Sequence, residues 1–165
     1  MQQEYLLEVL GKIGIDFIKH EHPPVYTCEE AAIHLSYMNT GRCKNLFLRN
    51  YRGNQHYLVV LAADSQVNFS FLSEHLGEKK LMFASEKRLE KYLSVRPGSV
   101  SPFGLIYDQD KHVKVLVQDD LFTHEKLSFH PNCNKASLEI YSEDFIRFLD
   151  WTGNLWSKFE FERSE

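Results

Sequence analysis

The sequence predicts an α+β fold in which helices flank a mixed, largely antiparallel central sheet. Three observations carry this expectation. Short β-branched, leucine-rich and aromatic runs outnumber helical stripes, most of them meet at tight turns, and strict strand–helix–strand alternation is missing. A chain of 165 residues, 43% hydrophobic and 13% aromatic, is expected to form one domain over residues 1–165 and to bury a core without cross-links.

The elements follow in order. Tyr5, Leu6, Val9, Leu10 and Ile13 paint one stripe on a helix that ends near Gly14. An extended piece through Asp16-Phe17-Ile18 runs to Pro23-Pro24, where the fixed proline backbone forces a break. A second helix is expected from Thr27, which stands at capping-box spacing from Glu30, with Ala31, Ala32 and Leu35 facing inward. Residues 43–49 and 56–63 read as two strands of a hairpin that turns through Gly53. Phe69–Leu76 reads as a short helix stopped by Gly77, residues 85–93 as another, and Leu81–Phe83 as a brief strand between them. Residues 104–107 and 113–117 read as a second hairpin around Asp108-Gln109-Asp110-Lys111, and residues 127–129 with Ala136–Tyr141 as further strands. The last helix is expected to be capped by Ser142, with Glu143 and Asp144 at its positive end, an inward stripe of Phe145, Phe148 and Leu149, and Gly153 as its stop.

Charge and motif content exclude several classes. Nineteen Lys and Arg against 23 Asp and Glu give a net charge of −4, which opposes charge-driven coating of nucleic acid but leaves room for a local basic patch. Cys28, Cys43 and Cys133 form no CxxC pair, so neither a disulfide framework nor a thiolate zinc site is expected, and a reducing compartment fits best. No apolar run is long enough to span a bilayer and Met1-Gln2-Gln3-Glu4 does not open a signal peptide, so a soluble, cytoplasmic protein is expected. The eight histidines lack ligand spacing, and His20 and His22 read as surface groups beside the proline turn. Asp108-Gln109-Asp110 lacks the rest of a calcium loop. No HExxH, phosphate loop, dinucleotide fingerprint or nucleophile elbow occurs, so no metal and no cofactor are expected.

Three strings remain for chemistry. Lys44 and Asn45 open an otherwise apolar strand; alone, Lys44 is an edge charge. The loop Arg96-Pro97-Gly98-Ser99-Val100-Ser101-Pro102-Phe103-Gly104 is too rich in proline and glycine for helix or central strand, and Gly98 lets another group approach its backbone N–H groups; it serves equally as a rigid connector. His130-Pro131-Asn132-Cys133-Asn134 is a polar corner between strands, by default a structural turn. Cys43 adjoins Lys44, whose charge could lower a thiol pKa, yet a core cysteine is the plainer reading.

In this order, and together with Pro24-Val25-Tyr26-Thr27, Glu30-Ala31-Ala32 and the closing helix, the strings resemble the YbaK-type and prolyl-tRNA-synthetase-associated editing domains, which remove wrongly attached amino acids from tRNA. The resemblance spans nearly the whole chain. Lys44-Asn45-Leu46-Phe47-Leu48 and the HPNxN corner are closest to the alanyl-tRNA(Pro) deacylase branch. Asn154-Leu155-Trp156 departs from it, standing where a His and a Pro commonly follow the last helix. With no synthetase domain alongside, the resemblance implies a free-standing editor that acts in trans.

It also implies roles. Lys44, Asn45 and Gly98 are the catalytic residues: Lys44 meets phosphate or ribose at the tRNA end, Asn45 orients it, and the loop's backbone addresses the aminoacyl group. Ser99, Val100, Ser101, Pro102, His130 and Asn134 bind substrate, with His130 limiting side-chain size. Members of the family use no covalent nucleophile and no cofactor, and the neighbouring ribose hydroxyl helps to activate water. The implied partners are a tRNA acceptor end carrying a misattached amino acid and a prolyl-tRNA synthetase, with neither membrane nor DNA involved. The need for such an enzyme follows from magnitudes, since a proline pocket rejects smaller alanine by only about 1–3 kcal/mol per missing methylene. Alanine is the expected amino acid, cysteine the alternative. A non-catalytic regulator that binds charged tRNA or an amino acid, and a plain interaction module, are readings of other classes; hydrolysis of charged tRNA separates them.

Overall fold

The apolar periodicity of the chain resolves into eight strands and four α-helices among the residues that the computed structural model describes, 2–24 and 41–161. Helix α1 covers Gln2–Lys12 and strand β1 Ile18–Glu21. Strands β2 (Gly41–Asn50) and β3 (His56–Ala62) form the expected antiparallel hairpin, Cys43 opposite Ala62 and Arg49 opposite His56. Helix α2 (Phe69–Leu76), strand β4 (Leu81–Phe83) and helix α3 (Glu86–Leu93) follow as read; the side chains of Asn68 and Ser85 cap the two helices, and Gly77 takes the left-handed conformation after α2. The helix expected at Thr27 and Glu30, with Cys28 inside it, lies outside the described residues.

Residues 104–107 are not a strand. They lie in a 3-10 helix, Pro102–Tyr107, for which Pro102 supplies a preset φ and Ser101 the cap. Gly104 is pressed against α3, where a Cβ would come within 2.9 Å of the Leu93 carbonyl oxygen. The second hairpin is accordingly absent. Strand β5 (Lys114–Gln118) pairs parallel to β3, and the Asp108 carboxylate accepts from the Val113 N–H at 2.8 Å and from Asn154 Nδ2 at 2.9 Å. A second 3-10 helix, Asp119–Thr123, leads to the antiparallel pair β6 (Lys126–Phe129) and β7 (Ala136–Tyr141). Helix α4, Ser142–Thr152, ends at Gly153 (φ 79°) as expected. Ser142 does not cap it, because this side chain donates to the His124 carbonyl and Tyr141 occupies the cap position. Past the helix, an unanticipated strand β8 (Trp156–Phe159) pairs parallel to β5.

The sheet runs β1-β7-β6-β2-β3-β5-β8, with β4 also on β2. Four of its pairings are antiparallel and three parallel. Helices α1, α3 and α4 and the first 3-10 helix cover one face with a core that includes Leu10, Val60, Leu93, Phe103 and Phe148; α2 covers the other with Leu48, Tyr57, Leu61 and Leu72. From Leu58 to Ala62 strand β3 is therefore apolar, as a strand buried on both faces must be. Edge-to-face contacts of Phe103 with Phe129 and Phe148, at 5.8 and 5.2 Å, fix the 3-10 helix, each worth about 0.5–1.5 kcal/mol beyond its area. No helix among the described residues is long and apolar enough to cross a membrane.

One polar knot sits within this core. His56 is fully buried, its ring stacked on Phe47 at 5.5 Å and tilted against Tyr92 at 4.4 Å. Its Nε2 accepts from Arg88 at 2.8 Å, and its Nδ1 pairs with His112 Nε2 at 2.9 Å. The same guanidinium donates to the Gly53 carbonyl at 2.9 Å, tying α3 to the hairpin turn.

Candidate active site

Side chains alternate along a strand, and the register of β2 separates Lys44 from Asn45. Lys44 lies opposite Leu61 and Asn45 opposite Val60, residues of the two different cores. Asn45 Nδ2 donates to the Val100 carbonyl at 3.3 Å, joining β2 to the loop singled out in the sequence. Its Oδ1 is buried and unpartnered. Lys44 is partly buried on the α2 side, and its ammonium donates to the Ser65 carbonyl. Ser65 is itself held by Gln118, whose side-chain oxygen also takes the Ala62 N–H at 2.9 Å. The structure thus brings Asn45 to the loop and directs Lys44 away from it. Cys43, on the Asn45 face, is a core thiol. Desolvation pushes its pKa up, the reverse of activation by the neighbouring ammonium.

The loop begins with a turn. Ser99 N–H donates to the Arg96 carbonyl at 3.0 Å, and Gly98 has φ +86°, the combination of a type II turn with Pro97 before its glycine. Ser101 is fully buried and accepts the Phe103 N–H at 3.1 Å; Pro102 is buried behind it. With the N–H groups of Ser99, Phe103 and Gly104 engaged, those of Gly98, Val100 and Ser101, after Pro97, are uncommitted among the described contacts, as is that of Arg96 before it.

At the corner after β6, His130 Nδ1 donates to the Ala136 carbonyl at 3.1 Å. Burial lowers its pKa, the Ala136 carbonyl acts against this, and His22 adds to it. With Nδ1 committed to that carbonyl, the ring keeps Nε2 as its free nitrogen among the described contacts. His22, read from sequence as a surface group, stands 6.2 Å from it, donating to the Pro23 carbonyl at 2.8 Å and pairing with Ser137 Oγ at 3.1 Å. A cleft of about 840 Å³ joins loop and corner, with Ser99 in one wall and Asn132 and Asn134 in the other. Sequence reasoning gave Asn132 no role beyond its place in the HPNxN corner and set His22 aside as a surface group. The signals were the HPNxN corner for Asn132 and, for His22, a histidine just past β1 beside the proline turn, and neither gives a residue its role without the fold. Among the described residues no three His, Cys, Asp or Glu side chains gather as metal ligands do.

Comparison with known proteins places this geometry. The profile of the aminoacyl-tRNA editing domain matches residues 22–148. The chain is 36% identical over 159 residues to the prolyl-tRNA editing protein ProX of Acetoanaerobium sticklandii, covering 96% of each. It is 27% identical over 148 residues to the multifunctional Ser/Thr-tRNA deacylase ProXp-y of Escherichia coli, covering 86% of this chain and 84% of that one. A solved structure described as a candidate trans-editing enzyme for prolyl-tRNA synthetase superposes with a TM-score of 0.71 at 16% identity over 98% of both chains. By class the protein is an aminoacyl-tRNA deacylase. The chain belongs to the aminoacyl-tRNA editing domain family.

Proposed function

We propose that this protein hydrolyses mischarged tRNA(Pro) in trans, with alanine as the amino acid removed. The observation that carries the reading is the Asn45–Val100 hydrogen bond, which holds a polar strand residue against a loop with free backbone donors. That pairing suits an activated ester, which needs only a fixed carbonyl, donors for the developing oxyanion and a placed water. The N–H groups of Gly98, Val100 and Ser101 are the oxyanion donors. Water attacks the ester carbon, the tetrahedral intermediate collapses, and the ribose oxygen leaves with a proton, the vicinal ribose hydroxyl assisting the water. Ser99, Val100, Ser101 and Pro102 shape the loop, while His130 and Asn134 limit and orient the amino-acid side chain.

Lys44 serves a different part of the substrate from Asn45, because the two leave β2 on opposite faces. Its ammonium exchanges the Ser65 carbonyl for phosphate or ribose at the tRNA end. The 36% identity to a prolyl-tRNA editing protein over 96% of the chain supports tRNA(Pro) as the carrier and prolyl-tRNA synthetase as the enzyme whose errors are cleared. The Ser/Thr-tRNA deacylase relative makes the amino acid the point to test. Deacylation of alanyl-, cysteinyl-, seryl-, threonyl- and prolyl-tRNA(Pro) by the purified protein should be fastest for alanine. Faster release of cysteine or a hydroxy amino acid reassigns the substrate, and release of none makes the protein a binding module.

A further inference from the structure

The cleft between loop and corner holds an amide that the fold does not use. Asn132 lines it and is 6% exposed, and neither Oδ1 nor Nδ2 has a hydrogen-bond partner. Its φ of +59° explains why a residue tolerant of the left-handed region stands here. Glycine would satisfy that demand without leaving two polar atoms empty, and buried amides are seldom left so. Across the cleft, Glu86 and Glu90 project from α3 one turn apart; Arg96 and Lys135 stand exposed at its rim.

We infer that this cleft is a nucleoside subsite, in which Asn132 pairs with the adenine at the 3′ end of the tRNA. The inference rests on the tRNA-editing reading and deepens it. A free primary amide offers one acceptor beside one donor, the complement of adenine N6–H and N7. Guanine and hypoxanthine present two acceptors along that edge and leave Oδ1 unpaired. The two carboxylates, exposed on α3, repel phosphate from that wall but accept a ribose hydroxyl, whereas the exposed Arg96 and Lys135 meet phosphate. The volume, about 840 Å³, falls in the range of small-molecule pockets. Both amide atoms are closed to water, so binding turns the side chain into the cleft that Asn132 already lines, and the absence of partners favours the turn.

Adenosine and inosine monophosphates are the probes, titrated by calorimetry or NMR against the intact protein. The wild type should bind adenosine monophosphate saturably and prefer it about tenfold over inosine monophosphate. Asn132→Gly, which keeps the left-handed backbone, should bind both equally and weakly and raise KM for charged tRNA with little change in kcat. Asn132→Asp, which keeps shape and loses the donor, should behave likewise should the glycine variant fold poorly. Equal binding of the two nucleotides by the wild type, a preference that survives in both variants, or no saturable binding overturns the subsite. Nucleotide preference without hydrolysis of any charged tRNA overturns the editing reading and leaves the subsite; hydrolysis without preference does the opposite.

Discussion

Acid should loosen this protein through His56. Burial comes first among the causes that lower its pKa to about 4, from 6.5 in the unfolded chain; His112, Arg88, Lys91 and Arg49 add their positive charge. Above pH 6.5 the ring is neutral in both states and the full contribution of the Arg88–His56–His112 chain is present. Below it the unfolded chain takes up the proton first, so stability is lost as pH falls toward 4, after which both states are charged. The gap corresponds to about 3 kcal/mol at 1.36 kcal/mol per pKa unit. Arg88 and His112 are only half-buried, and solvent screening of their charges brings the figure to about 2 kcal/mol. For a chain of this size that is a fall of about 4–8 °C in melting temperature. Thermal melts from about pH 8 to about pH 4 should be compared for the wild type and His56→Gln, whose amide can accept from Arg88 but cannot titrate. The stability advantage of the wild type should shrink by about 2 kcal/mol across the window. Parallel pH profiles would refute the reasoning and assign acid sensitivity to other groups.

Three substitutions probe the site. Lys44→Ala removes one hydrogen bond to the Ser65 carbonyl, a cost of about 1 kcal/mol, and should cut single-turnover deacylation by about tenfold or more with an unchanged circular dichroism spectrum; normal turnover removes Lys44 from the machinery. Gly98→Ala places a side chain at φ +86°, costing about 1–2 kcal/mol, and should also slow hydrolysis per folded molecule; a loss of stability alone would leave the loop a connector. His130→Ala should raise the ratio of prolyl- to alanyl-tRNA(Pro) hydrolysis within a ceiling of about 10–200-fold, whereas equal loss of both rates would make His130 a positioning group.

Local patterns revealed the elements whose ends are set by their own residues. Asn68, Ser85, Gly77 and Gly153 bound helices as their chemistry dictates, and residues 43–49 with 56–63 show a hairpin because a turn and two apolar runs suffice. What failed depends on distant partners. The apolar residues of 104–107 read equally as strand or tight helix, and the approach of Leu93 decides. Strand β8 has too short a pattern to declare itself until β5 offers an edge. The site divides in the same way. The three strings mark Asn45 and the loop, but their joining at Val100, the opposite direction of Lys44 and the empty amide of Asn132 arise from register and backbone handedness, which no spacing records.

The seam in the sheet bears on how the molecule assembles. Strand β2 meets β6 through only two residue pairs, Gly41 with Leu127 and Arg42 with Ser128, more than eighty positions apart along the chain. Gly41 is packed so closely there that a Cβ would lie 2.7 Å from the His124 ring, so the seam closes only around a bare backbone. A hairpin such as β2–β3 can form locally within microseconds, whereas a parallel contact of this span must first bear a long loop-closure entropy. The cleft walls come from either side of β6 in the chain, residues 86–99 before it and residues 132–135 after it. The hairpin that carries Asn45 thus needs only local contacts, whereas the cleft needs segments from both sides of β6 to be brought together.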